Sequence, residues 1–222
     1  MRYWTYYLAM FFLSYALARP WVMLGAIVFF FLRPVLPDPW VLWSTRGLIR
    51  SLKSQIAANA SNVTARRDLA RIYIDRLRPG AALSLLDEAR ARHPDDAELL
   101  FLTGLARLRS GDAQGALDPL VRVVEIEPRL LYGEPFRVAA EALLKLGRLE
   151  EAEDALSRFV QINSSSVEGY TRLARVRHDR GDKAGASEAI EEALQTFKQM
   201  PGYLRRKQIG WWLRAHLANI LM

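Results

Sequence analysis

The sequence contains no cysteine and only three histidines among its 222 residues. The absence of cysteine excludes disulfides, thiolate nucleophiles and cysteine-ligated metals. His93, His178 and His216 lie far apart and have no spaced carboxylate partners, so neither a metal centre nor a histidine general base is expected. The glycine-containing stretch "SGDAQG" lacks the Lys-Ser/Thr ending of a phosphate-binding loop. The sequence therefore predicts a protein that is not an enzyme and uses no cofactor.

Acidic residues are nearly absent from both ends of the chain. Residues 1–60 contain six Lys or Arg and one Asp, and residues 201–222 contain four Lys or Arg and no acid. Residues 61–200 hold the remaining 21 basic and 23 acidic residues, so the central part is close to neutral. This distribution argues against nucleic-acid binding, which needs a basic face on the folded module itself. It favours basic residues beside an anionic membrane surface.

Four similar stretches recur through the middle of the chain: "RLRPGAALSLL", "SGDAQGALDPL", "LGRLEEAEDAL" and "RGDKAGASEAI". They begin at residues 76, 110, 146 and 180, so they are 34, 36 and 34 residues apart. A sustained period near 34 is typical of helix–turn–helix solenoids. Glycines are expected at the turn between paired helices, where a positive φ costs them little; they are Gly111, Gly147 and Gly181. We expect helix pairs at 64–77 with 80–92, 97–109 with 113–126, 133–146 with 149–161, and 167–180 with 183–197.

Signature residues within these units resemble the tetratricopeptide repeat family, and the resemblance covers about 134 residues. The matching positions are Leu69, Ala70, Tyr73, Gly104, Tyr170, Leu173 and Ala174. Arg107 and Arg177 depart from it, because they stand where the family usually has an aromatic residue. Two extra residues around Leu131 and Tyr132 lengthen one junction. The resemblance implies an all-α, right-handed superhelical solenoid of about four helix–turn–helix units.

The same resemblance implies that the first helix of each unit lines a concave groove. The residues expected to project into this groove are Arg67, Arg71, Phe101, Leu105, Arg109, Arg137, Glu141, Lys145, Arg175 and His178. Such a groove is basic with an apolar centre, which suits an acidic segment or a C-terminal carboxylate with hydrophobic anchors. The alternative is that these are ordinary solvated side chains on exposed helix faces.

Two apolar segments without charge, residues 3–18 and 21–32, precede the repeats and are divided by Arg19 and Pro20. As helices they would be about 24 and about 18 Å long, against a hydrocarbon core of about 30 Å. A hairpin of two transmembrane helices, a single span, or one span with one interfacial helix are all possible. The hairpin is favoured because it moves Arg19 away from the bilayer centre. A signal peptide cleaved after residues 16–18, "ALA", and a soluble helical hairpin are the alternatives.

Basic residues flank the apolar region unequally. Arg2 precedes it, whereas Arg33, Arg46, Arg50 and Lys53 follow it, so the positive-inside rule places the repeats in the cytoplasm. The excess of Arg over Lys points to a bacterial source, and hence to the inner membrane. The prolines of "PVLPDPW" predict a stiff, non-helical connection.

Two further helices are expected beside the repeats. Residues 41–58 carry a basic stripe opposite an apolar one, which suits either an anionic membrane surface or packing on the first repeat. Residues 203–222 form a helix that either caps the solenoid or docks on membrane or partner. Its packing stripe is predicted to be Ile209, Trp212, Leu213, His216, Leu217 and Ile220.

The sequence thus predicts a transmembrane anchor (1–39), a juxtamembrane helix (40–62), four repeats (63–200) and a C-terminal helix (201–222). The predicted function is a scaffold that binds other proteins at the cytoplasmic face of the membrane, in assembly or regulation of an envelope complex. The alternative is a permanent structural subunit whose groove is filled by its neighbours. The lipid bilayer is a second partner, and no nucleic acid or small-molecule substrate is expected. Residues predicted to dock on membrane or partner are Trp21, Trp40, Trp43, Arg46, Arg50, Lys53, Trp211 and Trp212.

Overall fold

The computed structural model describes Ser14, Arg19, Trp21 and residues 39–221. The predicted membrane segments therefore lie outside the described residues, apart from Ser14 and Trp21. Within the described part, no helix is both long enough and apolar enough to cross a membrane. The chain divides into two compact units, residues 1–48 and 49–222, and the repeats lie in the second.

All regular elements among the described residues are helical. In chain order they are α1 (Pro39–Ser44), α2 (Arg46–Ala58), α3 (Val63–Asp75), α4 (Pro79–Arg90), α5 (Ala97–Arg109), α6 (Ala113–Ile126), α7 (Glu134–Lys145), α8 (Leu149–Ile162), α9 (Val167–Asp179), α10 (Lys183–Gln199) and α11 (Gly202–Leu221). A 3-10 turn, Leu130–Gly133, lies between α6 and α7. The helices α3 to α10 form four consecutive pairs, which we number repeats 1 to 4.

The four predicted helix pairs are present at their expected places. Each of the eight helices begins within one residue and ends within two residues of the predicted bounds. The prediction that residues 34–40 are non-helical is wrong at its end, because Pro39 begins α1. Proline is tolerated there because the first residues of a helix have no intrahelical partner for their N–H groups.

Side-chain caps define where five of the helices begin. In each case a side-chain oxygen accepts a hydrogen bond from a backbone N–H three residues later, which satisfies a donor that the helix cannot. The capping residues are Asn62, Asp96, Asp112, Ser166 and Asp182, with donor–acceptor distances of 2.8 to 3.0 Å.

The turn inside each repeat needs one residue in the left-handed region. Gly111, Gly147 and Gly181 have φ values of 94°, 73° and 89°, as their positions predict. Repeat 1 has Leu77 at the equivalent place, with φ of 56°, which costs about 1 kcal/mol relative to glycine. Leu131 and Tyr132, the two extra residues of the longer junction, also adopt positive φ, at 48° and 59°. The chain therefore inserts them as a tight turn rather than as an extension of either helix.

One of the departures from the family pattern has a backbone explanation. Pro119 lies inside α6 and has no N–H, so the carbonyl of Gly115 lacks its usual helical donor. The guanidinium Nη1 of Arg107 donates to that carbonyl at 2.8 Å. Arg177 makes the same contact with the carbonyl of Gly185 at 3.1 Å. An arginine in place of the aromatic residue thus ties the two helices of its repeat together.

The repeats share one continuous hydrophobic core, which α2 and α11 extend. In α2, Ile49 and Leu52 are buried in this core, and Ile56 packs against it. The helix therefore packs as a first solenoid helix, one of the two predicted alternatives. Its basic residues, Arg46, Arg50 and Lys53, are exposed.

The C-terminal helix α11 packs on α9 and α10 through only part of the predicted stripe, since Trp212 contacts Phe197 of α10. Leu204, Trp211, Ala215 and Ala218 also pack there, with Ala215 fully buried. The predicted stripe is wrong for Ile209, Leu213 and Leu217, which are 52, 51 and 59% exposed. The small side chains of the packing face let the helices approach closely, so the most apolar stripe is left outside. We call these three residues the outer stripe.

Candidate functional site

The first helices of the four repeats, α3, α5, α7 and α9, carry the residues predicted to form the concave groove. At the junction of repeats 1 and 2, Nη1 of Arg67 lies 2.7 Å from Oε2 of Glu98. Arg71 forms an ion pair with the same carboxylate. Both arginines belong to α3, whereas Glu98 lies in the first turn of α5. These two candidate residues are therefore brought together around a carboxylate of the next repeat.

The junction of repeats 3 and 4 has the corresponding arrangement around Arg137. Its Nη2 lies 2.7 Å from Oε2 of Glu134, and its Nη1 lies 3.8 Å from Glu141 and 3.7 Å from Glu168 of the next repeat. Burial disfavours the charge of Arg137, but the hydrogen bond and charge of Glu134 and the charges of Glu168 and Glu141 outweigh it, so its pKa is raised. Glu168 also accepts a hydrogen bond from Arg172 at 2.7 Å. Arg137 is thus held as a cation that joins the two repeats.

Three other candidate cations of the groove, Arg109, Lys145 and Arg175, are more accessible. The side chain of Arg175 is 80% exposed, and its Nε lies 3.9 Å from Oδ2 of Asp179. Arg109 and Lys145 are exposed and make no ion pair with any described residue. His178 is half-buried, with Nδ1 3.8 Å from Asp179. The accessible positive charge of the groove therefore lies near the C-terminal ends of the first helices.

The apolar centre predicted for the groove offers less accessible surface than Phe101 and Leu105 together suggest. Phe101 is only 5% exposed because it belongs to the hydrophobic core. Leu105, one helical turn later, is half-buried and remains partly accessible. Leu105 is therefore the accessible apolar contact at this point.

The residues predicted to dock on a membrane or partner fall into two classes. Trp21 and Trp43 are 81 and 67% exposed, whereas the side chain of Trp40 lies outside the described residues. Trp211 and Trp212 instead face the solenoid. Trp211 lies under the guanidinium groups of Arg172 and Arg214, at 4.9 and 4.4 Å from its ring centroid.

Trp212 is fixed by aromatic neighbours. Its ring stacks on Phe197 with centroids 5.3 Å apart, and the ring of His216 meets it edge-on at 4.6 Å. Both tryptophans of α11 therefore hold this helix to repeat 4 instead of presenting it to a partner.

A second surface, which the sequence interpretation missed, lies on the opposite side of α7 from the concave groove. It is a cavity of about 590 Å³ between α6 and α8, and we call it the wide groove. Its rim carries charged residues of both signs. Its apolar lining consists of Leu117, Leu120, Val121, Val124, Phe136, Ala139, Leu143 and Ala155.

The next repeat has an equivalent groove between α8 and α10, but its volume is only about 190 Å³. We call it the narrow groove. Leu173 stands where the wide groove has Ala139, and Arg177 stands where it has Leu143. Nε of Arg177 lies 3.0 Å from Glu153, so this side chain is held across the space. Burial and the charge of Glu192 raise the pKa of Tyr170 in the same groove. The sequence signal for the difference was the small residue at position 139 beside a lengthened junction.

Neither groove carries the side chains of a metal centre. Among the described residues, no three or more His, Asp or Glu side chains are grouped so that they could hold a metal ion.

Comparison with known proteins agrees with this architecture. Two segments, residues 67–128 and 137–201, match the model of the tetratricopeptide repeat family, and they cover more than half of the chain. A crystal structure of MamA superimposes with a TM-score of 0.65 and 20% identity, over 74% of this chain and 95% of that one. MamA from residue 41 onward of Desulfovibrio magneticus RS-1 gives 0.66 and 14%, over 78 and 96%. At these identities the likeness concerns the fold.

One curated relative is much longer than this chain. The cellulose synthase operon protein C of Xanthomonas axonopodis pv. citri (strain 306) is 27% identical over 175 residues. The match covers 65% of this chain but only 11% of the relative. The family match, the 34-residue spacing and the paired helices lead to one conclusion: the chain belongs to the tetratricopeptide repeat family.

Proposed function

We propose that the protein is a membrane-anchored scaffold that holds another protein at the cytoplasmic face of a bacterial inner membrane. Tetratricopeptide repeats present extended surfaces for protein–protein contact. The observation that carries the proposal is the concave groove, where Arg109, Lys145 and Arg175 remain exposed beside Leu105. On this view the protein assists assembly or regulation of an envelope complex.

The proposed anchor rests on the two charge-free segments, residues 3–18 and 21–32. Support from the described residues comes from α2, where Arg46, Arg50 and Lys53 are exposed and no acidic residue is present. Leu48 on the same helix is 51% exposed. An exposed helix surface of this composition suits an anionic lipid surface. Its buried side and its exposed side can serve the solenoid and the membrane together.

A topology reporter tests the anchor and its orientation. Alkaline phosphatase fused after Met222 should be inactive in intact bacteria, and a cytoplasmic fluorescent reporter at the same place should be active. Both fusions should remain with the membrane fraction after a carbonate wash. Phosphatase activity, or release of the chain by carbonate, would contradict this part of the proposal.

In the proposed groove the arginines have two different roles. Arg67, Arg71 and Arg137 already have carboxylate partners from the following repeat, so we assign them to holding neighbouring repeats in place. Arg109 and Arg175, with Lys145, have charge to offer to a ligand. The expected ligand is an acidic or C-terminal segment with an apolar side chain for Leu105.

Charge reversal on the full chain tests this groove. The wild-type chain is first crosslinked to its neighbours in native membranes. The yield of these crosslinked proteins should be at least tenfold lower with the triple variant Arg109→Glu/Lys145→Glu/Arg175→Glu. The matched control, which changes the net charge equally outside the groove, is Arg92→Glu/Arg129→Glu/Lys183→Glu. Equal recovery in both variants, with unchanged circular dichroism, would remove the groove as the binding site.

The second candidate function is a permanent structural subunit of a large membrane complex. The exposed outer stripe of α11 favours it, because three aliphatic residues that are 51 to 59% exposed lie together on one helix face, and contiguous apolar patches mark contact surfaces. Extraction in mild detergent followed by sizing separates the two functions. A structural subunit should be missing from the free pool, whereas a scaffold should also be found unbound.

A further inference from the structure

Two apolar surfaces of the solenoid, the outer stripe of α11 and the wide groove, are uncovered among the described residues. We propose that they bind each other between two copies of this chain, with the outer stripe of one copy seated in the wide groove of the next. This inference does not depend on the ligand proposed for the concave groove.

The outer stripe has the form of a helical recognition surface. Ile209, Leu213 and Leu217 are spaced by four, so they line one face of α11 over about 12 Å. They cannot turn inward to their own solenoid, because Ala215 and Trp211 on the opposite face already pack against it. An amphipathic helix that presents aliphatic residues at this spacing is suited to an apolar groove.

The wide groove has the complementary form. Leu117, Phe136 and Leu143 line it and are only 7 to 8% exposed, whereas Val121 at its edge is 50% exposed. Its volume of about 590 Å³ contrasts with about 190 Å³ in the next repeat, where Leu173 and Arg177 occupy the equivalent space. The wide groove is therefore the one that has room for side chains from outside.

Helix α11 is basic, whereas the rim of the wide groove has a small excess of acidic residues. Helix α11 carries four basic residues and no acidic one. The rim of the wide groove carries four acidic and two basic residues, which are Asp118, Glu150, Glu151, Asp154, Arg148 and Arg158.

Part of this rim is already neutralised from within. The Arg148–Glu151 pair is 2.6 Å apart and the Arg158–Asp154 pair is 2.9 Å apart. Glu150 is also paired, with Arg180 at 3.1 Å, so Asp118 is the rim carboxylate whose charge is left to meet a basic helix. On α11, Arg206 is exposed and lies three residues before Ile209, on the face of the outer stripe. This complementarity favours the correct orientation of the helix in the groove.

The occupant is argued to be a second copy because both halves of the interface are present in one chain. A lipid surface would cover the outer stripe but would leave the wide groove open. Because the two surfaces differ, the contact is heterologous, and each copy that donates a stripe still offers a groove. The interface is small, so we expect weak association in solution and stronger association where the chain is concentrated.

Site-specific crosslinking of the full chain tests the contact directly. Because the sequence has no cysteine, only the introduced cysteines can form a disulfide. The Leu213→Cys and Val121→Cys chains are produced separately, extracted in mild detergent and mixed. Mild oxidation of the mixture should yield a disulfide-linked heterodimer. The control pairs Leu213→Cys with Ser157→Cys, which lies at the equivalent place in the narrow groove. Its yield should be at least tenfold lower. Equal yields, or a dominant Leu213→Cys homodimer, would overturn the proposal.

A binding measurement tests the chemistry of the groove. A fluorescent peptide of residues 202–222 should bind the full chain, and its Leu213→Glu version should bind at least tenfold more weakly. In the protein, Ala139→Leu copies the side chain that fills the narrow groove and should also weaken binding at least tenfold. Ala139→Ser adds little volume and should bind like the wild type. Unchanged binding to Ala139→Leu would overturn the proposal.

The competing occupant, a bilayer, has its own readout. An environment-sensitive dye on Leu213→Cys in the full chain is placed in vesicles of phosphatidylcholine with 30% phosphatidylglycerol. Replacing the lipids by brominated ones should change the intensity of its emission by no more than about a tenth of the value in unbrominated vesicles. Strong quenching, with no crosslink to Val121→Cys, would assign the outer stripe to lipid and overturn the contact between copies.

Discussion

The junction between repeats 2 and 3 and the junction between repeats 3 and 4 have similar helix frames but different side chains. On the concave side, Arg137 and Glu168 join repeats 3 and 4. Repeat 2 has Phe101 at the place of Arg137, and it joins the core instead. On the opposite side, the wide groove lies open where the narrow groove is filled by Leu173. One junction is therefore closed on both faces, and the other is not.

This difference shows how a solenoid can vary stability along its length without changing its backbone plan. The stability of such a fold is approximately a sum of repeat terms and nearest-neighbour interface terms. Side chains that fill the space between the second helices of neighbouring repeats stabilise the interface between those repeats. Where such side chains are absent, the space has room for a ligand. The lengthened junction, with Leu131 and Tyr132 in a tight turn, coincides with the open side. If the wide groove binds a second copy as proposed, binding and local stability are opposed at the same junction.

The largest effect is expected when the closed junction is opened. Leu173 is 3% exposed, so Leu173→Ala removes buried methyl groups from the narrow groove and should lower the free energy of unfolding by about 2 to 4 kcal/mol. Urea denaturation of the detergent-solubilised chain, followed by circular dichroism, measures this loss. A change below about 1 kcal/mol would mean that the narrow groove is not packed as the structure has it.

A smaller loss is expected where the same junction is overfilled. A Cβ added at Gly169 would lie 2.7 Å from Cε1 of Phe159 and 2.9 Å from Cγ1 of Val160. Gly169→Ala should therefore destabilise the fold by about 1 to 3 kcal/mol despite the better helix propensity of alanine. The control is Gly80→Ala, where no atom lies within 4 Å of the added Cβ. The comparison fails if both variants unfold at the same denaturant concentration.

The sequence predicted the repeats well because their signal is local and periodic. The 34-residue spacing set the register, and residues such as Gly111, Asp112 and Gly181 mark turns and helix starts through their own backbone chemistry. None of these features depends on which surface a distant repeat presents. The helix pairs could therefore be placed from the sequence to within two residues.

The candidate site was less predictable because it depends on contacts between repeats. The sequence alone gives Arg67 as an unpaired groove cation, but in the structure Glu98, from the first turn of the next repeat, lies beside it. The outer stripe was assigned to the core because α11 has apolar residues on all sides, and a helical wheel cannot choose among them. The wide groove is open because Ala139 is small, and a single alanine in one sequence gives little indication that a cavity lies beside it.

A moderate effect is expected when the ionic link of the closed junction is removed. Glu168 contacts Arg137 of repeat 3 and Arg172 of its own helix, so Glu168→Gln leaves Arg137 with less compensation for its burial. We expect a loss of about 1 kcal/mol at low salt, and a smaller loss in 1 M NaCl because salt screens the pair. The exposed Glu127→Gln serves as the control and should change the unfolding midpoint little. Equal effects of the two variants would show that the link does not contribute.

The smallest effect on stability should come from filling the open junction. Ala139→Leu gives repeat 3 the side chain that repeat 4 has in Leu173, and the wide groove has space for it. Because the added methyl groups enter an existing cavity rather than a packed core, the free energy of unfolding should change by less than about 1 kcal/mol, and any change should be a gain. Urea denaturation beside Leu173→Ala makes the reciprocal comparison. If Ala139→Leu were as destabilising as Gly169→Ala, the groove would have to be closed in solution, and the two junctions would not differ as described. If stability is kept and only the binding of the 202–222 peptide is lost, the open space at repeat 3 serves association rather than folding.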